Sequence, residues 1–441
     1  MEIKREISNN LQQWKNKKNR KPLLLKGARQ IGKTWIMREF GRNNFEFVAE
    51  FNFDKTTELF AIFQKTKDIT RIINELALFT DVPIIADRTL IIFDEIQSCE
   101  GALNSLKYFQ EDASQYHIIA AGSLLGVAVR NKQMSVPVGK VEIISMYPVT
   151  FKEFLQAADE KTYLYVSALT AIEPLPEIIR SRLEEQYRRY LICGGMPEAI
   201  VFLLNNEGIQ SVEDKLQHIL DLYTLDFSKY TSSAEIPKIR NLWNSLPSQL
   251  AKENRKFIYR VVKTGARARE YEDALLWLEE AGLIHRVYNV SKPRIPLSAY
   301  REFSAFKVYA SDCGLLRRMA KLSPEVILSN TTGYIEFKGA LAENFLLKSL
   351  VSASNSESFY WSSDNRAEVD FLIEYETKII PMEVKSEHRV SGKSLSVYSS
   401  KFDPELRIRY SLNELKMNEK TINIPLYLSD WTFDLLKMKT F

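Results

Sequence analysis

The residues with the clearest chemical pattern lie at positions 27–34, where the sequence reads GARQIGKT after a run of three leucines. Two glycines let backbone N–H groups curl around anionic oxygens, and a following helix would add positive potential at its N-terminus. Lys33 would reach the β- and γ-phosphates, and the Thr34 hydroxyl would ligate Mg²⁺. The alternative is a chance glycine turn, but the apolar strand before it and the helix after it favour phosphate binding. The predicted phosphate loop consists of Gly27, Ala28, Arg29, Gln30, Ile31, Gly32, Lys33 and Thr34.

An acidic pair follows the apolar run TLIIF at positions 89–93. Such runs are typical of strands buried on both faces of a parallel sheet, and ligands bind at the carboxyl ends of these strands. Asp94 would hold Mg²⁺, directly or through water, and Glu95 would polarise the attacking water. Ser123 follows a third apolar strand at residues 117–121. There it would lie close to the γ-phosphate, or it would simply be part of a turn that ends the strand.

A second set of chemically active residues lies near the C-terminus. Asp370 and the triplet Glu383-x-Lys385 lie on successive predicted strands of a hairpin, an order that resembles the restriction-endonuclease-like pattern D…ExK. In that chemistry Asp370 and Glu383 would ligate Mg²⁺, and Lys385 would stabilise or activate the attacking hydroxide. Glu343 would add a carboxylate from a helix. The alternative is a surface ion pair, since residues two apart on a strand share a face.

Length and composition limit the class of protein to which these residues can belong. A chain of 441 residues predicts two to four domains. With 45% hydrophobic and 26% charged residues, it is not collagen-like, low-complexity or largely disordered. The net charge of +4 is too small to indicate a nucleic-acid partner, so that function needs local clustering.

The expected compartment is the cytoplasm. No apolar stretch approaches about 18 residues, so we expect no membrane-spanning helix and no membrane partner. The N-terminus MEIKREISNN lacks the apolar run of a secretory signal. Three scattered cysteines, Cys99, Cys193 and Cys313, and four dispersed histidines do not make a disulfide framework or a zinc site.

The middle of the chain contains two further signals. An apolar period before Cys193 predicts a helix that Gly194 and Gly195 end and a second helix that Pro197 starts. Basic residues outnumber acidic ones in 232–297, and an amphipathic helix, a glycine and an alternating strand there are similar to a winged helix. Its basic residues would neutralise DNA phosphates or form a solvated face on a protein-binding module; they are Lys263, Arg267 and Arg269.

Five segments together carry a family resemblance: GARQIGKT, LIIFDEIQ, AAGSLLG, SVPVGKVEIISMYPVTFKEFL and YLICGGMPEAI. They resemble prokaryotic AAA-type ATPases fused to a C-terminal domain of uncharacterised function, and the resemblance covers essentially the whole chain. It implies ATP binding at Gly32, Lys33 and Thr34, the aspartate–glutamate pair as the acidic groups, and Ser123 as a sensor.

Two positions stand apart in this comparison. Related signalling ATPases place a similar Gly-x-Pro against the adenine, which implies a nucleotide contact for Pro197; a purely architectural role is the alternative. Such proteins often carry arginine in PVGRV, whereas this chain has Lys140. A trans-acting arginine is therefore in doubt there, and Arg130 is the fallback candidate.

The predicted fold class is α/β, with a P-loop parallel-sheet core, a helical lid, a winged-helix segment and a restriction-endonuclease-like domain. The predicted boundaries are 1–155 for the ATPase core, 156–231 for the lid, 232–300 for the winged-helix-like segment, 301–332 for a connecting segment and 333–441 for the nuclease-like domain. We expect a Mg-dependent ATPase that acts as a switch coupled to the last domain. The alternatives are an ATP-controlled DNA nuclease and a non-catalytic signalling or partner-binding switch. DNA would bind through the winged-helix or C-terminal domain, and an oligomer is compatible with the sequence.

Overall fold

A parallel β-sheet organises the N-terminal third of the protein in this computed structural model. Its strands are β1 (Leu23–Lys26), β2 (Phe47–Asn52), β3 (Thr89–Asp94), β4 (His117–Ala121) and β5 (Glu142–Ser145). They lie in the order β2-β3-β4-β1-β5, and each neighbouring pair is parallel. The helices around this sheet are α1 (Ile7–Lys15), α2 (Lys33–Asn44), α3 (Leu59–Lys65), α4 (Ile69–Leu76), α5 (Glu100–Asp112) and α6 (Leu125–Arg130). The structure describes residues 2–130, 137, 139–229, 231–252, 256–329, 335–354, 357–363, 367–386 and 393–438.

The first sheet is buried on both faces, as its continuous apolar runs predict. In β3, Leu90 and Ile92 pack into one hydrophobic cluster, whereas Ile91 and Phe93 pack into another. Successive side chains of a strand point to opposite faces, so a strand covered on both sides must be apolar at every position. Because the strands are parallel, their carboxyl ends meet at one edge of the sheet.

A group of helices follows the first sheet. They are α7 (Phe151–Ala158), α8 (Glu160–Ser167), α9 (Glu177–Cys193), α10 (Pro197–Leu204), α11 (Ile209–Asp226), α12 (Ile236–Leu250), α13 (Tyr259–Val262) and α14 (Ala268–Glu280). Thr150 and Glu153 form a reciprocal capping box at the start of α7. Gly194, with φ of 64°, ends α9, and Pro197 opens α10, which confirms the predicted break between these helices.

A mixed sheet of eight strands occupies the C-terminal half of the described residues. Its strands are β6 (Ile284–Val290), β7 (Arg301–Ala310), β8 (Phe359–Ser363), β9 (Ala367–Tyr375), β10 (Lys378–Val384), β11 (Arg407–Ser411), β12 (Lys416–Asn418) and β13 (Thr421–Pro425). Their order is β12-β13-β11-β10-β9-β8-β6-β7. The accompanying helices are α15 (Cys313–Met319), α16 (Pro324–Leu328), α17 (Ile335–Ser354), α18 (Lys393–Phe402) and α19 (Thr432–Met438). Short 3₁₀ helices lie at Ala77–Phe79, Ile96–Ser98, Leu297–Tyr300 and Leu426–Trp431.

The second sheet crosses two of the predicted domain boundaries. β6, expected to belong to the winged-helix segment, pairs antiparallel with β7 and parallel with β8. The segment 301–332, expected to be a connection, contains the ten residues of β7. The physical reason is burial: Val290 packs in one apolar cluster with Phe359 and Val369 of the C-terminal strands. A fragment starting at Gly333 would therefore lack β6 and β7, and Gly333 itself lies outside the described residues.

Within the described part of the chain, no helix combines the length and the hydropathy needed to cross a lipid bilayer.

Candidate functional site

The loop between β1 and α2 has the backbone conformation that its glycines allow. Gly27 has φ of 149° and Gly32 has φ of 92°. A Cβ atom on Gly27 would lie 2.2 Å from the carbonyl oxygen of Met146, so the chain tolerates no larger residue there. Gln30 also has positive φ, at 67°. The loop therefore curls at the N-terminus of α2, where backbone N–H groups can face an anion.

Lys33 points into this loop. Its Nζ donates to the carbonyl oxygens of Gly27 at 2.9 Å and Ala28 at 2.6 Å. Burial lowers the pKa of Lys33 to about 8, against the opposing influence of the Glu95 and Asp94 carboxylates. The Lys33 ammonium thus donates its hydrogen bonds to carbonyl oxygens of its own loop. From this position it can donate to a phosphate oxygen instead.

Asp94 connects the loop to the strand edge. The Thr34 hydroxyl donates to Asp94 Oδ2 at 2.9 Å, and Asn52 Nδ2 donates to the same oxygen at 3.2 Å. Asn52 and Asp94 are register partners at the ends of β2 and β3. Burial raises the pKa of Asp94, the Glu95 charge raises it further, and the Thr34 bond opposes this. The buried Asp94 carboxylate, the neighbouring Glu95 carboxylate and the Thr34 hydroxyl provide oxygen ligands of the kind that Mg²⁺ prefers.

Glu95 has an unusual backbone conformation, with φ of 50°. Gln97 Nε2 donates to Glu95 Oε2 at 2.5 Å, and the Ser123 hydroxyl donates to the same oxygen at 3.3 Å. Gly122 makes this approach possible, because a Cβ atom there would lie 2.1 Å from Gln97 Oε1. Positive φ in a non-glycine residue at such a position is a form of strain that concentrates at functional sites.

A cavity of about 550 Å³ opens beside these groups. Its lining residues are Ile3, Arg5, Arg29, Gln30, Gly32, Lys33, Thr34, Trp35, Arg38, Glu95, Ser123, Val149, Pro197, Glu198 and Val201. Two other loop residues, Ala28 and Ile31, are buried in the hydrophobic core. Pro197 lies across the cavity from the loop, and a Cβ atom on Gly32 would be 3.6 Å from its Cγ. The structure thus brings most of the predicted loop, together with Glu95, Ser123 and Pro197, to one cavity.

The sequence interpretation missed several polar residues of this site, among them Asn52 and Arg5. Asn52 could have been found, because it ends the strand next to the one that ends in Asp94. Arg5 gave no comparable signal. It lies in an irregular N-terminal segment, where its side chain is buried. The guanidinium donates hydrogen bonds to the Glu153 carboxylate and to the carbonyl oxygens of Ile31 and Tyr147.

Helix α11 touches the phosphate loop through two side chains. Arg29 Nη1 donates to both carboxylate oxygens of Asp226, at 2.5 and 2.7 Å. The Tyr223 hydroxyl donates to the carbonyl oxygen of Arg29 at 2.7 Å. Nothing in the helical period of α11 distinguishes these two residues from ordinary packing positions, so only the tertiary structure assigns them to the loop.

The two candidates for a trans-acting basic group are held by ion pairs within the chain. Arg130 donates to the carboxylate and the carbonyl oxygen of Asp273. Lys140 Nζ lies 2.7 Å from Glu111 Oε1. Both pairs are partly exposed, so they are weak. Part of the motif before Lys140, at residues 135, 136 and 138, lies outside the described residues.

Val149 and Gly195 link the cavity to the C-terminal half. Val149 N donates to the Gly195 carbonyl at 2.8 Å, and Gly195 N donates to Asp312 Oδ2 at 2.6 Å. Lys348 of α17 donates to the Val149 carbonyl and contacts the Tyr190 hydroxyl. Burial lowers the pKa of Lys348 to about 7 and raises the pKa of Asp312 to about 6. A wall of the cavity therefore shares one buried polar network with the C-terminal helices α15 and α17.

The predicted C-terminal residues come together in part. Asp370 Oδ2 accepts from Val384 N at 2.7 Å across the β9–β10 hairpin. Glu383, which is 1% exposed, lies 3.4 Å from Lys385 Nζ and 3.5 Å from Arg409 Nε. Burial raises the pKa of Glu383; the Lys385 charge opposes this and the Asp370 charge adds to it. Two carboxylates and two cations thus share one side of the hairpin.

Glu343 lies on α17, where it is buried and accepts a hydrogen bond from the Tyr309 hydroxyl at 2.8 Å. Among the described residues, no three His, Cys, Asp or Glu side chains group as metal ligands, so Glu343 does not complete a three-carboxylate set with Asp370 and Glu383.

The basic residues predicted to face DNA are on the surface. Lys263, Arg267 and Arg269 are exposed around the start of α14, and the backbone N–H of Arg267 donates to Glu270. This placement is compatible with phosphate contact and equally with a solvated helix end.

Family models match the chain in three separate regions. Residues 19–155 match a model described as an AAA domain. Residues 184–326 match a domain of unknown function (DUF8612), and residues 338–428 match another domain of unknown function (DUF4143). The search of curated proteins found no match.

Solved structures resemble the chain at low identity. The Holliday junction branch migration motor RuvB of Thermotoga maritima is 13% identical, with 67% of this chain and 91% of that chain covered and a TM-score of 0.31. Aeropyrum pernix ORC1 in complex with DNA is 12% identical, with coverages of 73% and 92% and a TM-score of 0.26. The ADP form of Aeropyrum pernix ORC2 is 11% identical, with coverages of 75% and 94% and a TM-score of 0.28.

The match to an AAA domain, the parallel sheet and the glycine loop together support a P-loop ATPase-like fold in the N-terminal region. The predicted α/β fold class with a parallel-sheet core is confirmed, and a mixed sheet follows it. This fold supports ATP binding.

Proposed function

We propose that the protein is a Mg-dependent ATPase that acts as a conformational switch on its C-terminal half. The observation that carries this proposal is the convergence of Lys33, Thr34, Glu95 and Ser123 on one cavity, with Asp94 bonded to Thr34. A phosphate-binding loop, a divalent-ion ligand set and a carboxylate for the attacking water are the groups that ATP hydrolysis needs.

Each of these groups has a distinct task. Lys33 leaves its loop carbonyls and neutralises the β- and γ-phosphates. Thr34 and Asp94 would hold Mg²⁺, which supplies charge neutralisation at the phosphates. Glu95 orients the attacking water, and Ser123 and Gln97 orient the Glu95 carboxylate.

The switch rests on the network behind the cavity. Val149 and Pro197 line the nucleotide cavity, and Gly195 lies between them in contact with Asp312 and Lys348 of the C-terminal half. A nucleotide that displaces the cavity wall would therefore move groups that pack on the second sheet. If this network has two packed arrangements and each is favoured by a different nucleotide state, nucleotide binding is coupled to the conformation of the C-terminal half.

Two variants test the ATPase proposal. Lys33→Ala should abolish ATP binding, measured by titration calorimetry, because it removes the loop cation next to the phosphates. Glu95→Gln should keep ATP binding and slow phosphate release by about 100-fold or more, since it preserves shape and loses the base. Lys18→Ala, at an exposed lysine, is the matched control and should behave as wild type. Equal ATP affinity in Lys33→Ala and wild type would refute the proposal.

A second candidate function is divalent-ion-dependent cleavage of nucleic acid by the C-terminal half. The pairing of Asp370 with a buried Glu383, and the position of Lys385 beside Glu383, favour it. Wild-type protein should nick plasmid with Mg²⁺ or Mn²⁺, and ATP should change the rate. Asp370→Asn should stop cleavage, whereas Asp403→Asn, at an exposed aspartate, should not. Cleavage that survives Asp370→Asn would exclude this site.

DNA contact through the basic helix start is a separate element of that candidate. Reversing Lys263, Arg267 and Arg269 to glutamate should weaken DNA binding and flatten its dependence on salt concentration. A triple variant whose salt slope equals that of wild type would instead favour a protein-binding or packing role for the segment.

A further inference from the structure

Among the residues that the structure describes, three arginine side chains line the cavity, and two of them are held by hydrogen bonds within the protein. Arg5 uses all three of its nitrogens, on the Glu153 carboxylate and on the carbonyls of Ile31 and Tyr147. Its side chain is 6% exposed, so it has little freedom to turn toward a ligand.

Arg38 is held by a two-bond fork. Its Nε and Nη2 donate to the two oxygens of Glu50 at 2.5 and 2.6 Å. A bidentate pair with a carboxylate of β2 satisfies the outer edge of the guanidinium and fixes its plane. Arg38 therefore ties α2 to the sheet.

Arg29 differs from both in its position and its bonding. It lies within the phosphate loop, and both of its contacts with Asp226 are made by a single nitrogen, Nη1. The Arg29 side chain is 34% exposed, whereas the Asp226 side chain is 6% exposed. The guanidinium is thus anchored through one nitrogen, and the partly exposed Arg29 side chain lines the cavity.

The charges around Arg29 connect it to the hydrolytic groups. Burial lowers the pKa of Arg29, but the bonds and charge of Asp226 outweigh this, and Glu95 and Asp54 add to the increase. Arg29 therefore pairs with the Asp226 carboxylate of α11 and lines the same cavity as Glu95, the carboxylate that would orient the attacking water. A γ-phosphate arriving next to Glu95 would be a stronger anion for it than Asp226.

We propose that Arg29 is a catalytic residue of this ATPase: it turns from Asp226 to the γ-phosphate when ATP binds, so that the chain supplies its own transition-state arginine. This inference rests on the proposed ATPase function and goes beyond it. On this proposal the transition-state arginine comes from the loop itself, whereas Arg130 and Lys140 pair with Asp273 and Glu111.

The chemical step is hydrolysis of the terminal phosphoanhydride. The oxygen of water bonds to the γ-phosphorus, and the bond from that phosphorus to the bridging oxygen breaks. The bonding electron pair leaves with ADP, and the proton of the water passes by way of Glu95 to solvent, so the products are ADP, inorganic phosphate and a proton. Charge spreads over the three outer γ-oxygens in the transition state, and the donors of Arg29 stabilise that charge.

Helix α11 would respond to the same movement. Asp226 accepts hydrogen bonds from the Arg29 side chain, and the Tyr223 hydroxyl donates to the Arg29 carbonyl. Loss of the Asp226 contact leaves the Tyr223 contact to keep the loop beside α11. Asp226 thus competes with ATP for Arg29, and its removal should favour ATP.

Opposite effects of two substitutions test the proposal in the full-length protein. Arg29→Ala should lower kcat by about 10³-fold while ADP affinity stays within about threefold of wild type. Asp226→Asn should keep kcat at or above the wild-type value and lower KM for ATP by about three- to tenfold, because the competing carboxylate is gone. Arg29→Lys, which keeps the charge and loses the planar fork, should fall between wild type and Arg29→Ala. Arg88→Ala, at an exposed arginine paired with Glu46, is the matched control.

Three results would overturn the inference. Equal loss of kcat in Arg29→Ala and Asp226→Asn would make the pair a structural clamp. Wild-type kcat in a folded Arg29→Ala or Arg29→Lys protein would exclude a catalytic role and leave the proposed ATPase intact. A wild-type protein that neither binds nor hydrolyses ATP would overturn the proposed function and this inference with it. Melting temperatures of all variants show which of them fold.

Discussion

The tight docking of Gly195 allows a quantitative test of how the two halves of the protein are joined. Substitution by alanine would place a Cβ atom 2.3 Å from the Val149 carbonyl oxygen and 2.5 Å from Lys348 Nζ. Non-bonded atoms in contact lie about 3.5 Å apart, so Gly195 and Val149 would have to separate by about 1 Å. The obstacle is backbone, which yields less readily than the end of a flexible side chain.

A separation of about 1 Å would break a buried hydrogen bond. The Val149–Gly195 bond, now 2.8 Å, would lengthen to about 3.8 Å and exceed the hydrogen-bonding range. Its donor and its acceptor would each lose a partner at about 1–3 kcal/mol, so the free energy of unfolding should fall by about 2–6 kcal/mol. ATP affinity should fall as well, because Val149 and Pro197 on either side of the contact line the cavity.

Urea denaturation and ATP titration of Gly195→Ala test this prediction, with Gly265→Ala as the control. A Cβ atom on Gly265 meets no described atom within 4 Å, so that variant carries only the cost of positive φ, about 1–2 kcal/mol. If Gly195→Ala unfolds at the same urea concentration as Gly265→Ala and binds ATP as wild type does, the reasoning about this contact is wrong.

Three further predictions follow from buried charges. Burial lowers the pKa of Lys33 to about 8, and phosphate binds the charged form of this side chain. ATP affinity should therefore fall about tenfold per pH unit above pH 8; calorimetry showing constant affinity from pH 7 to 10 would refute this. Arg317→Met should lower the free energy of unfolding by about 3–5 kcal/mol in urea denaturation, because the buried Glu213 loses its main partner, and adding Glu213→Leu should restore part of the loss. Millimolar Mn²⁺ should raise the melting temperature of the full-length protein, and Asp370→Ala should remove that shift. Burial and the Asp370 charge raise the pKa of Glu383, so acidification should also remove it; a shift that persists in Asp370→Ala would place the ion elsewhere.

Local sequence patterns predicted those parts of the fold in which the conformation of each residue depends mainly on its neighbours in sequence. The glycine loop, its following helix and the doubly buried strand β3 depend on backbone conformation and on alternation within a few residues. The break between α9 and α10 is equally local, because Gly194 and Pro197 supply it themselves. For the same reason the hairpin that joins Asp370 to Glu383 was predictable from one turn between two alternating strands.

The place of β6 and β7 was not predictable in this way. Their sequences show alternating strands, and a winged helix satisfies that pattern as well as a larger sheet does. The pairing of β6 with β8 favours the larger sheet, because it buries Val290 against Phe359. A strand's partner depends on which exposed edge the rest of the chain presents, and the alternation of one strand contains no information about that edge.

The sequence by itself therefore determined that this protein has a glycine loop of the P-loop type on a parallel α/β sheet, because the residue types and spacings of that loop permit little else. The tertiary structure alone decided which charges surround it. Arg29 meets Asp226 across 197 residues of sequence, and Lys348 meets Val149 across 199. Such contacts form when separately predictable elements pack, and the packing depends on the shapes of whole surfaces. The loop is a local property of the chain, and its electrostatic partners are a property of the assembled fold.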